Sequence, residues 1–443
     1  MGCKYSGSIQ KEDYMKNITI AILASLYLCH AQAACLDLEK GSSADELQKN
    51  RVQCLNQARF LLPTIDSATA ISEEFRKQLI QPLSKNSTLV NDSTVHCRFV
   101  YQKQNGDSAK FRCAKTNETN QLYSSKGDLI EQAVGTIDEE DDIFLIDQNG
   151  QKISEAGKKD GKEKFLKSDI LKVRYQDGGS RNVENYTSAA VSRILWALQI
   201  PAHSNYMTEK VVCFGCNTDP FNKSNPLKSA VIQDGKYALV NFADANIEVK
   251  FQAKRLYDPT QQPWKWTELN ALHRKSSLEI KKEIEVLALV GHFVGITSTS
   301  DMQNAIVCTK SSEQNKKECQ HVIGMYHDLG AGLGKRGSKG FSADYPRGDL
   351  SAYKNTTIFG EGTCNFLVGD GKKDYPLNIS SRGRDEFIAR AKSLTRDNLK
   401  IIFKASHIGN LKNDKKKNTD ELELQWADAV LAKVEEVKNA PCN

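Results

Sequence analysis

Cys213 and Cys216 form a single C-x-x-C, a spacing that serves three different chemistries. Zinc needs about four ligands, and neither a second such pair nor a nearby His-x3-His accompanies this one. A thioredoxin-type redox pair opens a helix after a strand, whereas Asn217-Thr218-Asp219-Pro220 reads as a loop. A local structural disulfide is the reading these residues favour. Other groups with chemical potential fit their motifs poorly. The acidic run Asp138-Glu139-Glu140-Asp141-Asp142 lacks the Asp-x-Asp-x-Asp-Gly spacing of a calcium loop and reads as a solvated linker. Gly332-Leu333-Gly334-Lys335-Arg336-Gly337 satisfies G-x-G-x-x-G, but Ser338 to Pro346 does not read as the helix that a dinucleotide site requires, so it is a loop. Gly334-Lys335 is followed by Arg336 and has no glycine five residues before it, which excludes a Walker A motif. Neither G-x-S-x-G nor His-Glu-x-x-His occurs, so hydrolase chemistry has no anchor.

The formal charge of +6 is dispersed, because Lys/Arg and Asp/Glu interleave. The basic cluster of Lys412 with Lys415-Lys416-Lys417 sits among Asn and Asp and reads as a solvated loop; no nucleic-acid partner is expected. Met15-Lys16-Asn17, the apolar run Ile18 to Leu28 and Ala31-Gln32-Ala33 follow the order of a secretion signal, cleaved after Ala33 or Ala34. The run is too short to span a bilayer and no later stretch compensates, so the protein is expected to be exported, periplasmic or extracellular, and not membrane-spanning. Met1-Gly2-Cys3-Lys4-Tyr5-Ser6 matches the myristoylation pattern, an accidental match beside a secretion signal.

Two of the twelve cysteines, Cys3 and Cys29, precede that cleavage point, leaving ten for an oxidising compartment. Cys97 and Cys113 flank two short apolar runs and the turn signal Asn105-Gly106, so they pair across a β-hairpin. Cys308 and Cys319 close a polar loop between two strands in the same way. The partners of Cys35, Cys54, Cys364 and Cys442 are left open.

The length exceeds what one core usually supports, so two units are expected after residues 1–33: an N-terminal region at 34–137 with the disulfide hairpin, and a second unit at 138–443. In the second unit, strands are expected at Phe165–Lys167, Ile170–Tyr175, Lys210–Val212, Ala238–Phe242 and Ile247–Phe251. A helix runs from Val183 to about Leu198, and another from Leu278 to about Phe293. A hairpin through Ala305–Cys308 and His321–Met325 follows.

That order, a small sheet with an inserted helix, a long helix, a loop, a hairpin and then Asp328-Leu329-Gly330, resembles the protein-kinase-like fold. The resemblance covers about residues 140 to 410. It implies an α+β class with a bilobal kinase-like domain, a small β-rich lobe plus a helical lobe, preceded by the small disulfide-stapled region. Lys172 in mid-strand and Glu184 near the start of the next helix stand where kinases pair a lysine and a glutamate over nucleotide phosphates. Asn304 is similar to the metal-binding Asn of the catalytic loop, and Asp328 to the metal-binding aspartate of D-F-G. Mg and ATP are the implied cofactors, with an unknown protein or small-molecule acceptor. The base position five residues before the Asn holds Thr299, and Asp301 is the one carboxylate of that loop. The resemblance thus leaves two functions: phosphate transfer with Asp301 as base, or a non-catalytic pseudokinase-type binding or structural module.

Overall fold

The computed structural model describes residues 35–36, 42–81, 89–102, 109–116, 118, 170–176, 182–216, 219–221, 232–233, 236–237, 239–249, 254–255, 266–296, 304–313, 318–326, 329–330, 332–334, 348–360, 362–366, 378–411 and 418–443, with short strand segments between 122 and 153. The secretion signal, the myristoylation motif, the strand expected at 165–167 and the acidic run at 138–142 lie outside the described residues.

Strand β1 (Cys35–Leu36) and helices α1 (Ala44–Gln57), α2 (Ser67–Ala70) and α3 (Glu73–Ile80) lead into β2 (Ser93–Gln102) and β3 (Lys110–Lys115). Next come β4 (Ile170–Arg174), α4 (Val183–Ala197), β5 (Ser204–Phe214) and β6 (Leu239–Val249). Then follow β7 (Lys254–Arg255), α5 (Trp266–Lys275), α6 (Leu278–Phe293), β8 (Asn304–Ser311), β9 (Glu318–Tyr326), α7 (Leu350–Asn355), α8 (Ser381–Ala391), α9 (Arg396–Ala405) and α10 (Thr419–Lys438). Among the described residues no helix is long and apolar enough to cross a membrane.

Five strands close on themselves in the order β2-β3-β4-β6-β5, and parallel pairing of β5 with β2 completes the ring. Closure satisfies every strand edge. Alternate residues point inward, and the interior holds Val95, Phe99, Phe111, Val173, Val211 and Ile247. The rings of Phe111, Tyr175 and Phe242 meet there with centroids 4.8 to 5.6 Å apart. Strands from both sides of the 137/138 boundary share this barrel, because β2 and β3 lie directly beside β4 and β5.

Two strands were expected at 238–242 and 247–251; the structure has one, β6. Asp244 takes a left-handed conformation (φ 49°) in its middle. The pairing of β5 with β6 keeps one register across it, Thr208 opposite Ala245 and Lys210 opposite Ala243, while the pairing of β5 with β2 shifts between Thr208 and Lys210. The alternation of β6 reverses at Asp244: Phe242 is buried on one side of it, and Ala245 and Ile247 on the other. Each half therefore carries its own period in the sequence.

A second buried cluster joins α4, α6, α8, α9 and α10. The N-terminal segment belongs to it. Glu283, buried on α6, accepts a hydrogen bond from the Phe60 amide at 2.8 Å and pairs with Arg59. Arg59 also exchanges backbone hydrogen bonds of 3.0 Å with Val322 and Gly324 on β9. A buried carboxylate requires such partners.

The ten cysteines form five disulfides. Cys97–Cys113, Cys213–Cys216 and Cys308–Cys319 are the pairs read from local spacing. Cys35–Cys54 ties β1 to α1, and Cys364–Cys442 ties the chain's end to the segment after α7. The C-x-x-C is a disulfide that ends β5 at a turn through Gly215 (φ 81°).

Candidate functional site

The outer face of the barrel, beneath the first turn of α4, carries a network of charges. On β4, Leu171 and Val173 point inward, so Lys172 and Arg174 share the outer face. Across the ladder Glu248 stands opposite Lys172, and Asn246 opposite Arg174. Lys172 Nζ lies 3.1 and 3.0 Å from the two Glu248 carboxylate oxygens, and Arg174 Nη1 lies 2.8 Å from Oε2. Arg174 Nε lies 3.8 Å from Glu184 Oε2. The Arg174 side chain is 2% exposed and that of Glu248 5%. Among the described residues two cations and two carboxylates thus meet in a nearly dry place, where an uncompensated charge would be costly.

The lysine is therefore not paired with the helix glutamate. Lys172 meets Glu248, and Arg174 is the cation that reaches Glu184. The reason is geometric: a side chain directly opposite on an antiparallel ladder is nearer than one on a helix packed across the sheet.

Glu184 also faces the segment that follows β9. A Cβ placed on Gly330 would stand 2.9 Å from the Glu184 carboxyl group, so any larger residue there would require the Glu184 side chain to shift. Thr187 Oγ1, one turn along α4, donates to the Gly330 carbonyl at 2.8 Å. Asn304 is buried as the first residue of β8, opposite Tyr326 on β9. Tyr326 OH is anchored to the Leu287 carbonyl of α6 at 2.7 Å. The hairpin thus sets Asn304 opposite Tyr326, which precedes Asp328 by two residues in the sequence, with Gly330 two residues after Asp328. Asp301 and Asp328 lie outside the described residues. Among the described residues no group of three or more His, Cys, Asp or Glu side chains is placed to hold a metal ion.

Arg174 and Glu248 were missed in reading the sequence. Arg174 had a signal, since it lies two residues from Lys172 and so on the same face. Glu248 had none that spacing alone reveals, because its partnership depends on the register in which β6 pairs with β4.

No protein-family profile matches the sequence, and no curated protein sequence is significantly similar to it. Among solved structures, the chain is similar to the Helicobacter pylori proinflammatory kinase CtkA, with 9% identity and a TM-score of 0.33 over 61% of this chain and 88% of that one. It is also similar to a chain of the Shewanella oneidensis MR-1 toxin–antitoxin complex of HipA, HipB and operator DNA, with 10% identity and a TM-score of 0.29 over 95% of this chain and 82% of that one.

Proposed function

We propose that the protein is an exported, bilobal kinase-like protein that binds a nucleotide with magnesium beside the Lys172–Arg174–Glu248–Glu184 network. The observation that carries this reading is the position of Glu184. It joins the strand cation Arg174 on one side and packs against Gly330 of Asp328-Leu329-Gly330 on the other. Phosphoryl transfer asks for a cation near the phosphates, hard oxygen ligands for magnesium and a carboxylate to take the acceptor's proton. Arg174 and Lys172 supply the cations, Asn304 and Asp328 are oxygen donors of the right hardness, and Asp301 is the candidate base. Asn304 and Asp328 would hold magnesium, which would neutralise phosphate charge.

A second reading, a non-catalytic binding module, is favoured by Thr299 at the usual base position and by the contacts of both cations with Glu248. Lys172 and Arg174 both already hold Glu248, so a phosphate must compete with a bound carboxylate.

Thermal unfolding of the mature protein with and without millimolar Mg-ATP tests the first reading, with Asp328→Ala as control. A ligand of the native state raises its stability by mass action. The wild type is expected to shift upward and the variant not to; no shift in the wild type leaves the binding module.

A further inference from the structure

Away from this network, three residues with left-handed backbones converge. Asp92 (φ 60°), Asp244 (φ 49°) and His407 (φ 53°) are three of the five non-glycine residues with positive φ among the described residues. Each such conformation costs on the order of 1 kcal/mol and persists only where the surroundings hold it. They come from the turn before β2, the middle of β6 and the end of α9. His407 Nδ1 lies 2.5 Å from Asp244 Oδ1, and Nε2 lies 2.5 Å from Asp92 Oδ1. Imidazole donates from both nitrogens only when it is protonated, so two carboxylate partners select the imidazolium.

Asp244 is also the grip on α4. Its Oδ2 accepts from Tyr186 OH at 2.6 Å and from Asn410 Nδ2 at 3.0 Å, and its carbonyl accepts from Asn185 Nδ2 at 3.3 Å. Asn185 and Tyr186 directly follow Glu184. Asn246, two residues along β6, donates to the Asn185 carbonyl at 2.9 Å. The carboxylate that holds His407 therefore also holds the helical turn that presents Glu184 to Arg174 and Gly330.

We propose that His407 is a positioning residue: as an imidazolium it latches the turn after α9 to the barrel and to the first turn of α4, and loss of its proton loosens that turn and with it Glu184. The consequence for nucleotide rests on the function proposed above; the latch itself does not.

The charges around the ring set the sign. Asp92 and Asp244 face it directly, and Tyr186 acts through Asp244. Arg193 on α4 feels Asp92 from behind. From α10 the buried Glu423 also attracts the ring, while Lys404 and Lys400 on α9 are drawn to Glu423. Burial pulls the His407 pKa down, but the hydrogen bond and charge of Asp244, followed by those of Asp92, outweigh it and raise the pKa above its ordinary value. Burial raises Asp244, and bonds from His407, Tyr186 and Asn410 outweigh that and leave it lowered. A raised histidine contributes stability that is complete below its unfolded value of ~6.5 and is lost as pH rises through the folded value. A lowered aspartate keeps its contribution until pH falls below ~3.8. The latch is closed below pH ~6.5 and opens as pH rises through the raised folded value.

Amide hydrogen exchange of the whole mature protein, without nucleotide and corrected for intrinsic rates, tests this between pH 6 and 9. In the wild type, exchange in the first turn of α4 and at 408–410 is expected to rise about tenfold with pH, a change of ~1.4 kcal/mol in local opening. His407→Gln should exchange fast throughout. His407→Arg, a cation with five N–H donors at every pH, should stay protected with no step. A flat wild-type profile overturns the proposal, as does a wild-type step retained in either variant; the wild-type titration decides even if a variant fails to fold. A parallel Mg-ATP thermal shift separates the two readings. An exchange step with no nucleotide effect keeps the latch and removes the nucleotide site, and a nucleotide effect with flat exchange does the reverse.

Discussion

Arg193 provides the sharpest test of how the N-terminal segment is held. Its guanidinium is 1% exposed and has no carboxylate in contact; burial pushes its pKa down to about 10, which still leaves it cationic at neutral pH. It donates to the carbonyls of Leu79 (3.0 Å), Ile80 (3.2 Å), Ala189 (3.0 Å) and Asn205 (2.8 Å) and to Asn91 Oδ1 (2.7 Å). Leu79 and Ile80 end α3, where helix carbonyls lack intrahelical donors. Arg193→Met keeps the stem and removes every donor. All five acceptors then lose the cation; counting only the three carbonyls outside α4, those of Leu79, Ile80 and Asn205, at ~1–2 kcal/mol each gives roughly 3–6 kcal/mol. Relief of the buried charge subtracts from that, leaving a net loss of about 3 kcal/mol. Urea denaturation of the oxidised mature protein followed by circular dichroism measures it, and exchange at α3 should rise first. Arg193→Lys, with three donors, should recover about half. A loss below ~1 kcal/mol for the methionine variant, within the range of surface substitutions and their errors, would refute the keystone role.

Gly330→Ala should place a methyl 2.9 Å from the Glu184 carboxyl, costing about 1–3 kcal/mol by overpacking and cancelling any Mg-ATP thermal shift; an unchanged melting curve would mean that Glu184 is not packed there. Cys442→Ser opens a disulfide that spans 78 residues, for which the chain-entropy argument gives an upper bound of ~4.5 kcal/mol, read from denaturation midpoints with and without reductant. Glu248→Gln leaves Lys172 and Arg174 without their shared anion. Stability at low salt should fall by about 3–5 kcal/mol, and sulfate or Mg-ATP should stabilise the variant more than the wild type. Equal anion effects on the two proteins would refute a phosphate-facing role for these cations.

Much of the local structure was legible, and the reason is range. The helices at 183–198 and 278–293 announce themselves through periodic apolar faces, and the structure forms them at Val183–Ala197 and Leu278–Phe293. The hairpin cysteines are brought together by turns a few residues away. What stayed hidden depends on pairings between distant segments. Val95 lies beside Val211 in the parallel contact that closes the barrel, and no local pattern marks it. Lys172 was expected to meet Glu184 because the order of elements suggested it, yet register decides the pairing and gives Glu248. Arg193 reads as a polar residue in an apolar helix, and only the fold shows the carbonyls that surround it. His407 sits in no motif at all; its meaning comes from two aspartates 163 and 315 residues away in sequence.

Helix α4 is the element through which these effects reach one another. Its first turn is gripped by Arg174 through Glu184 and by Asp244 through Tyr186, and its later turns hold the N-terminal segment through Arg193. Glu184 and Arg193 are nine residues apart, roughly 14 Å along a helix, far enough for independent substitutions to add if nothing joins them. Here something does. Arg193 holds Asn91, and Asn91 is the neighbour of Asp92, which holds His407, which in turn holds Asp244. Loss of Arg193 should free the Asn91–Asp92 turn and so remove part of the latch in advance. In a double-mutant cycle at pH 7, Arg193→Met combined with His407→Gln should therefore cost less than the sum of the single losses, by about 0.5–1 kcal/mol or more. The same cycle at a pH above the folded His407 value, where the wild-type latch is open, should show the coupling shrink. Strict additivity at both values would mean that the two ends of α4 are held separately.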